Sequence, residues 1–97
     1  MNHWTDDNPW IWVLVQDPEG NEQFLGQHDE GKNVSFIPMF QDKEAARDAL
    51  SGLVRDKSLK YQPQAIRYRH LASHAAEQGF QLFLLDRSGC ILETLAP

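Results

Sequence analysis

At 97 residues, with 41% hydrophobic and 24% charged side chains, the chain has the size and make-up of one ordinary globular domain. No apolar run approaches the ~18 residues of a spanning helix, and the first residues carry neither the basic start nor the apolar stretch of a secretion signal. The single cysteine, Cys90, excludes an internal disulfide, and these traits together set the expectation of a soluble, cytoplasmic protein with no membrane partner.

The net charge of −5 is unevenly spread. Residues 1–31 hold seven carboxylates and no Lys or Arg, a net −7, while residues 32–97 hold nine basic and seven acidic side chains, a net +2. Within the second part, 55–69 carries Arg55, Lys57, Lys60, Arg67 and Arg69 against Asp56 alone. Either the fold brings these regions together so that they partly neutralise, or they form separate patches for a partner.

Residues 1–9 are polar apart from Trp4 and are expected to be a flexible tail ahead of a single domain over 10–97. The run Trp10-Ile11-Trp12-Val13-Leu14-Val15 has no polar member, which predicts a first strand over 10–16 covered on both faces. Asp17-Pro18-Glu19-Gly20-Asn21 reads as a turn, with Pro18 presetting φ and Gly20 supplying a positive φ, into a weaker antiparallel strand over 22–27. A third strand follows over 34–40. Its Pro38 cannot donate to a ladder, so an edge, a bulge or an exit from the sheet is expected there.

Asp42 is placed to cap a helix whose apolar stripe is Ala45, Ala46, Ala49, Leu50, Leu53 and Val54. A basic connection over 56–62 leads to a short strand over 64–68. A second helix over 69–78 carries the stripe Leu71, Ala72, Ala75 and Ala76 and stops at Gly79. Phe80–Leu85 and Cys90–Leu95 then form two strands joined by the Asp86–Gly89 turn. The order βββαβαββ gives an α+β fold, a mixed sheet of five or six strands with two helices. The strands separated by helices run parallel. Either the two helices divide between the faces, or one face is completed by another chain, and Trp4, Trp10 and Trp12 are the residues to line such a contact.

The remaining polar residues offer three candidate chemistries. His70, His74 and Glu77 fall on one side of the second helix, and a pair of histidines four residues apart is a metal-ligand spacing. Leu71, however, stands where a zincin helix has its glutamate, and a solvated polar face explains the three residues as well. Cys90 begins an apolar strand, where cysteine acts as a small hydrophobe rather than an activated nucleophile. No G-x-S-x-G and no phosphate-cradling glycine loop is present, so no catalytic residue and no cofactor is assigned. Tyr61 and Tyr68 among the basic residues of 55–69 form the alternative of a nucleic-acid-binding module, against which stands the acidic balance of the whole chain.

The segment Val34-Ser35-Phe36-Ile37-Pro38-Met39-Phe40-Gln41-Asp42-Lys43-Glu44-Ala45-Ala46 is an apolar strand ending in Pro-x-Phe, then an acidic cap opening an alanine-rich helix. It resembles the N-terminal domain of SseB-type secretion-enhancer proteins, and more loosely other small bacterial domains. The resemblance implies a non-enzymatic interaction domain and carries over no catalytic residue. The expectation is therefore a non-catalytic domain that binds another protein or itself, as a homodimer, through Trp4, Trp10, Trp12, Arg55, Lys57, Lys60, Arg67 and Arg69.

Overall fold

The computed structural model describes residues 3–96. The unbroken apolar run becomes β1 (Trp10–Gln16), at the heart of one mixed sheet. It is followed by β2 (Gln23–Phe24), β3 (Gln27–Asp29), β4 (Val34–Phe40), α1 (Lys43–Ala49), β5 (Tyr61–Arg67), α2 (Tyr68–Gln78), β6 (Gln81–Leu85) and β7 (Ile91–Leu95). The fold is α+β, as the sequence order implies. The sheet has seven strands because the expected 22–27 strand divides at Leu25-Gly26 into β2 and β3.

The order of strands follows from their registers. β5 pairs antiparallel along all of β1, from Trp10 opposite Arg67 to Gln16 opposite Tyr61, and occupies one edge completely. The other edge of β1 is shared by β4, at Trp12 and Val13, and β2, at Val15 and Gln16. β4 runs parallel to β6, which pairs antiparallel with β7. The sequence therefore reads β5-β1-β4-β6-β7, with β2 and β3 filling a fork between β1 and β4.

Pro38 lies inside β4, at an inner strand rather than an edge, and is fully buried. The Leu14 carbonyl accepts from the Leu25 amide (2.8 Å), so the even residues of β1 turn their backbone polar groups toward the fork. Trp12 opposite Phe40 is then a hydrogen-bonded pair, and Pro38, two residues before Phe40, faces the same side. Its missing N–H costs no bond to β6. β4 changes partner there, pairing with β1 at residues 39–40 and with β3 at residues 34–36.

The helices divide between the two faces. Odd residues of β1 (Ile11, Val13, Val15) join Ile37, Met39, Leu82 and Leu84 beneath Leu71 and Ala75 of α2. Leu14 joins Phe36, Phe40, Phe83 and Leu85 beneath Ala45, Ala46 and Ala49 of α1. Alanines at the contact let each helix lie close to the sheet. Each large side chain fully buried in these layers contributes on the order of 1.5–3 kcal/mol.

The strand expected over 64–68 begins earlier, at Tyr61, takes Pro63 inside it and ends at Arg67; other local signals act as read, with three exceptions. Asp42 caps α1 through Oδ1, which accepts from the Ala45 amide (2.8 Å), and Gly79 closes α2 in the left-handed region (φ 76°). α1 is shorter than its apolar stripe implied. It tightens into a 3-10 turn over Leu50–Gly52 and becomes extended at Leu53, leaving Val54 83% exposed. In the 17–21 turn the positive φ falls on Asp17 (52°), not Gly20. At Gly20 the Asp17 carboxylate folds in so closely that a Cβ would meet it at 2.6 Å and displace it. Cys90 precedes β7 and is exposed, its amide donating to Asp86 Oδ1, instead of packing as a strand hydrophobe.

A sheet closed on both faces makes a prediction about overpacking. Ala46→Leu under α1 and Ala75→Leu under α2 should each destabilise the protein by about 1–3 kcal/mol in urea denaturation. A face left open for another chain would instead tolerate its substitution within about 0.5 kcal/mol.

Candidate functional site

The residues singled out in the sequence do not assemble into one patch. Trp10 and Trp12 project, like Leu14, to the α1 side of the sheet, whereas Trp4 packs against the cluster on the α2 side. Trp10 is 60% exposed, with the Arg67 guanidinium 4.8 Å from its ring centroid across the β1–β5 pair. Trp12 is half-buried against the α1 cluster. The 55–69 cations are split between the two ends of β5. At one end, Arg55 Nη1 donates to the carbonyls of Leu50, Ser51 and Leu53, tying off the end of α1, beside exposed Lys57 and Lys60. At the other, Arg67 donates to the Asn8 carbonyl (2.8 Å) and Arg69 to the Asp6 carbonyl (3.0 Å).

His74 lies half-buried with its ring edge-on to Phe24 (4.9 Å between centroids), while His70 and Glu77 are exposed. Among the described residues, no three His, Cys, Asp or Glu side chains converge as a metal site. No helix among them is long and apolar enough to cross a membrane.

Residues 3–9, expected as part of the tail, are built onto the sheet; Met1 and Asn2, and Pro97 at the end of the domain, lie outside the described residues. Trp4–Asp7 forms a short 3-10 helix capped by His3. Asn8 then takes a left-handed conformation and turns its side chain to α2, where Oδ1 accepts from the Arg69 amide (2.8 Å). α2 receives no side-chain cap from Arg67, the residue before it, so this distant asparagine serves a first-turn amide. The Tyr68 amide donates to the Pro9 carbonyl (2.9 Å).

The same segment clasps β7. Trp4 Nε1 donates to Glu93 Oε2 (2.6 Å), and His3 Nε2 pairs with Glu93 Oε1. The Thr5 amide donates to His3 Nδ1 (3.3 Å), which assigns the shared proton to Nε2. The Trp4 ring meets Tyr68 edge-on at 6.1 Å. Hydrogen bonds from Trp4, and then from His3, hold the Glu93 carboxyl below its ordinary value. Burial, and after it the Glu93 charge, pushes the Tyr68 phenol up.

β7 is also where the sheet is least protected. It pairs with β6 alone, and a bulge opposite Leu84/Leu85 leaves Leu92 without a paired residue. Ile91 is 44% and Leu92 56% exposed. The opposite margin, β5, carries Pro63 and Arg67, the proline and charge that blunt open sheet edges. β7 has neither. Sequence reading identified this strand but not its exposure, which depends on strand order. The only local signal was Leu92 beside Ile91 after a tight turn.

Comparison with family models, with curated proteins and with solved structures gave no match. The SseB-type resemblance thus rests on residues 34–46 alone.

The Glu93 clasp has a defined pH dependence. The carboxyl is lowered in the folded state, so its contribution is fully present above the ordinary value of 4.5 and is lost as pH falls through the lower, folded value. The indole N–H resonance of Trp4, assigned with Trp4→Phe, should hold steady from neutral pH to about that point and then shift toward a free indole. In Glu93→Gln that acid step should be absent; an identical acid step in the variant would remove Glu93 from the clasp.

Proposed function

We propose that this chain is a non-catalytic protein-interaction domain, which binds an extended segment of another protein, or of a second copy of itself, along β7. The observation that carries this reading is the free edge of β7 with Ile91 and Leu92 exposed. An open strand presents unpaired backbone N–H and C=O groups at regular spacing, and a second strand that pairs with them gains main-chain hydrogen bonds without needing a deep pocket. Neighbouring apolar side chains then supply the specificity.

The length of α1 supports the same surface. Seven helical residues span only about 10 Å, while five strands side by side extend over roughly 19 Å from first to last. α1 packs mainly over β5, β1 and β4, which leaves the β7 margin of its face the less covered. Leu85, opposite Ile91, belongs to the α1-side cluster, so Ile91 emerges on this side at one margin, as Trp10 does at the other. Trp10 is already stacked by Arg67, which makes the β7 margin the less committed of the two.

The test pairs light scattering with capture from native cell extract, using the full chain and its Leu92→Lys and Ile91→Lys variants. Concentration-dependent dimerisation, or a captured protein, that both substitutions abolish is the expected result. A strict monomer at high micromolar concentration, with the same proteins captured by all three baits, would overturn the reading.

A further inference from the structure

The fork between β1 and β4 leaves a groove on the α2 side that the interaction reading does not use. Its volume is about 410 Å³, within the ~300–1,000 Å³ typical of small-molecule sites. Val15 and Ile37, each 1% exposed, supply an apolar floor. Phe24 and Phe80 stand at the sides, and His74 and Gln78 approach from the last turns of α2. The rim adds Glu22, the one carboxylate of the lining, and no Lys or Arg contributes to it among the described residues.

We propose that this groove binds a small organic cation, a primary amine joined through a short linker to an aromatic ring. The ring matches the apolar floor and the two phenylalanines, where its burial is favourable, and the ammonium matches Glu22 at the solvent margin. An anion of the same shape would meet the Glu22 carboxylate with no Lys or Arg of the lining to offset it. The fold builds the site as a by-product of Pro38. β2 enters the fork that the missing amide opens, which places Phe24 against His74 and Glu22 above the floor. The site shares no residue with β7.

The test is a heteronuclear NMR titration of the full chain with three probes of one shape: 2-phenylethylamine, 2-phenylethanol and 3-phenylpropionate. Saturable shifts centred on Phe24, His74, Gln78 and Phe80 are expected with the amine, about three-fold tighter than with the alcohol, the scale of one exposed ion pair. In Glu22→Gln, an exposed position at which folding is not at stake, the amine should lose that advantage while the alcohol binds unchanged. Three results would each overturn the proposal: no saturable shift at these residues, an anion bound as tightly as the amine, or an amine preference that survives in Glu22→Gln.

Discussion

The arrangement of this sheet depends on one missing hydrogen-bond donor. Pro38 occupies an inner strand, where an ordinary residue would offer its amide to Leu14 and let β1 and β4 pair along their length. Without that amide the two strands stay together only at Trp12–Phe40 and Val13–Met39. The Leu14 carbonyl is left for Leu25, and residues 23–29 thread into the opening, binding β1 through β2 and β4 through β3. A proline here is tolerated because its polar face looks into the fork, so the parallel pairing of β4 with β6 continues unbroken through Phe83. Gly26, at the crossing between the strands, lies so close to Phe80 that a Cβ would come within 3.2 Å of its ring.

What could be read from the sequence was whatever depends on neighbours in the chain. The strand limits 10–16 and 34–40, the Asp42 cap and the Gly79 stop follow from local pattern and backbone chemistry, and they stand in the structure. Burial of β1 on both faces holds for its centre, Ile11 and Val13 to Val15, while Trp12 is half-buried and Trp10 is exposed. Long-range relations were hidden. Nothing near Tyr68 announces that Asn8 will cap its helix. Pro38 sits in an inner strand because the side of the backbone that lacks the N–H faces the fork, a direction that local sequence does not encode. The three tryptophans are near one another in sequence but not in space: Trp10 and Trp12 share a face by alternation, while Trp4 reaches the other face from a separate 3-10 turn.

The β1–β5 pairing brings the two oppositely charged regions side by side, with no ion pair between them among the described residues. Because the two strands are antiparallel over seven residues, the flanks of the acidic region meet the flanks of the basic one. Asp6 and Asn8 lie against Arg67 and Arg69, and at the far end the Asp17 amide donates to the Lys60 carbonyl (2.8 Å). These cations act mainly on backbone carbonyls, as Arg55 does on three at the end of α1. Three of the five therefore already serve the fold as capping and tethering groups, and the basic segment divides into clusters at opposite ends of β5.

The two margins of the sheet are finished differently, and the difference bears on what the surface can do. Beyond β5, Pro63 interrupts the edge, and Arg67 lies over the exposed ring of Trp10. Beyond β7, the N-terminal segment closes the α2 side by fastening Trp4 and His3 to Glu93, the residue paired with Leu84 of the core. On the α1 side, among the described residues, the one ion pair toward this margin is that of Arg87, in the turn before β7, with Asp48 (3.8 Å), and the helix has ended by Ala49. Glu93 is thus held rigidly from one side while Ile91 and Leu92 stay open on the other. A strand fixed in this way has already lost the conformational freedom that pairing would otherwise cost, and pre-ordering an edge lowers the entropic penalty for a second strand to join it.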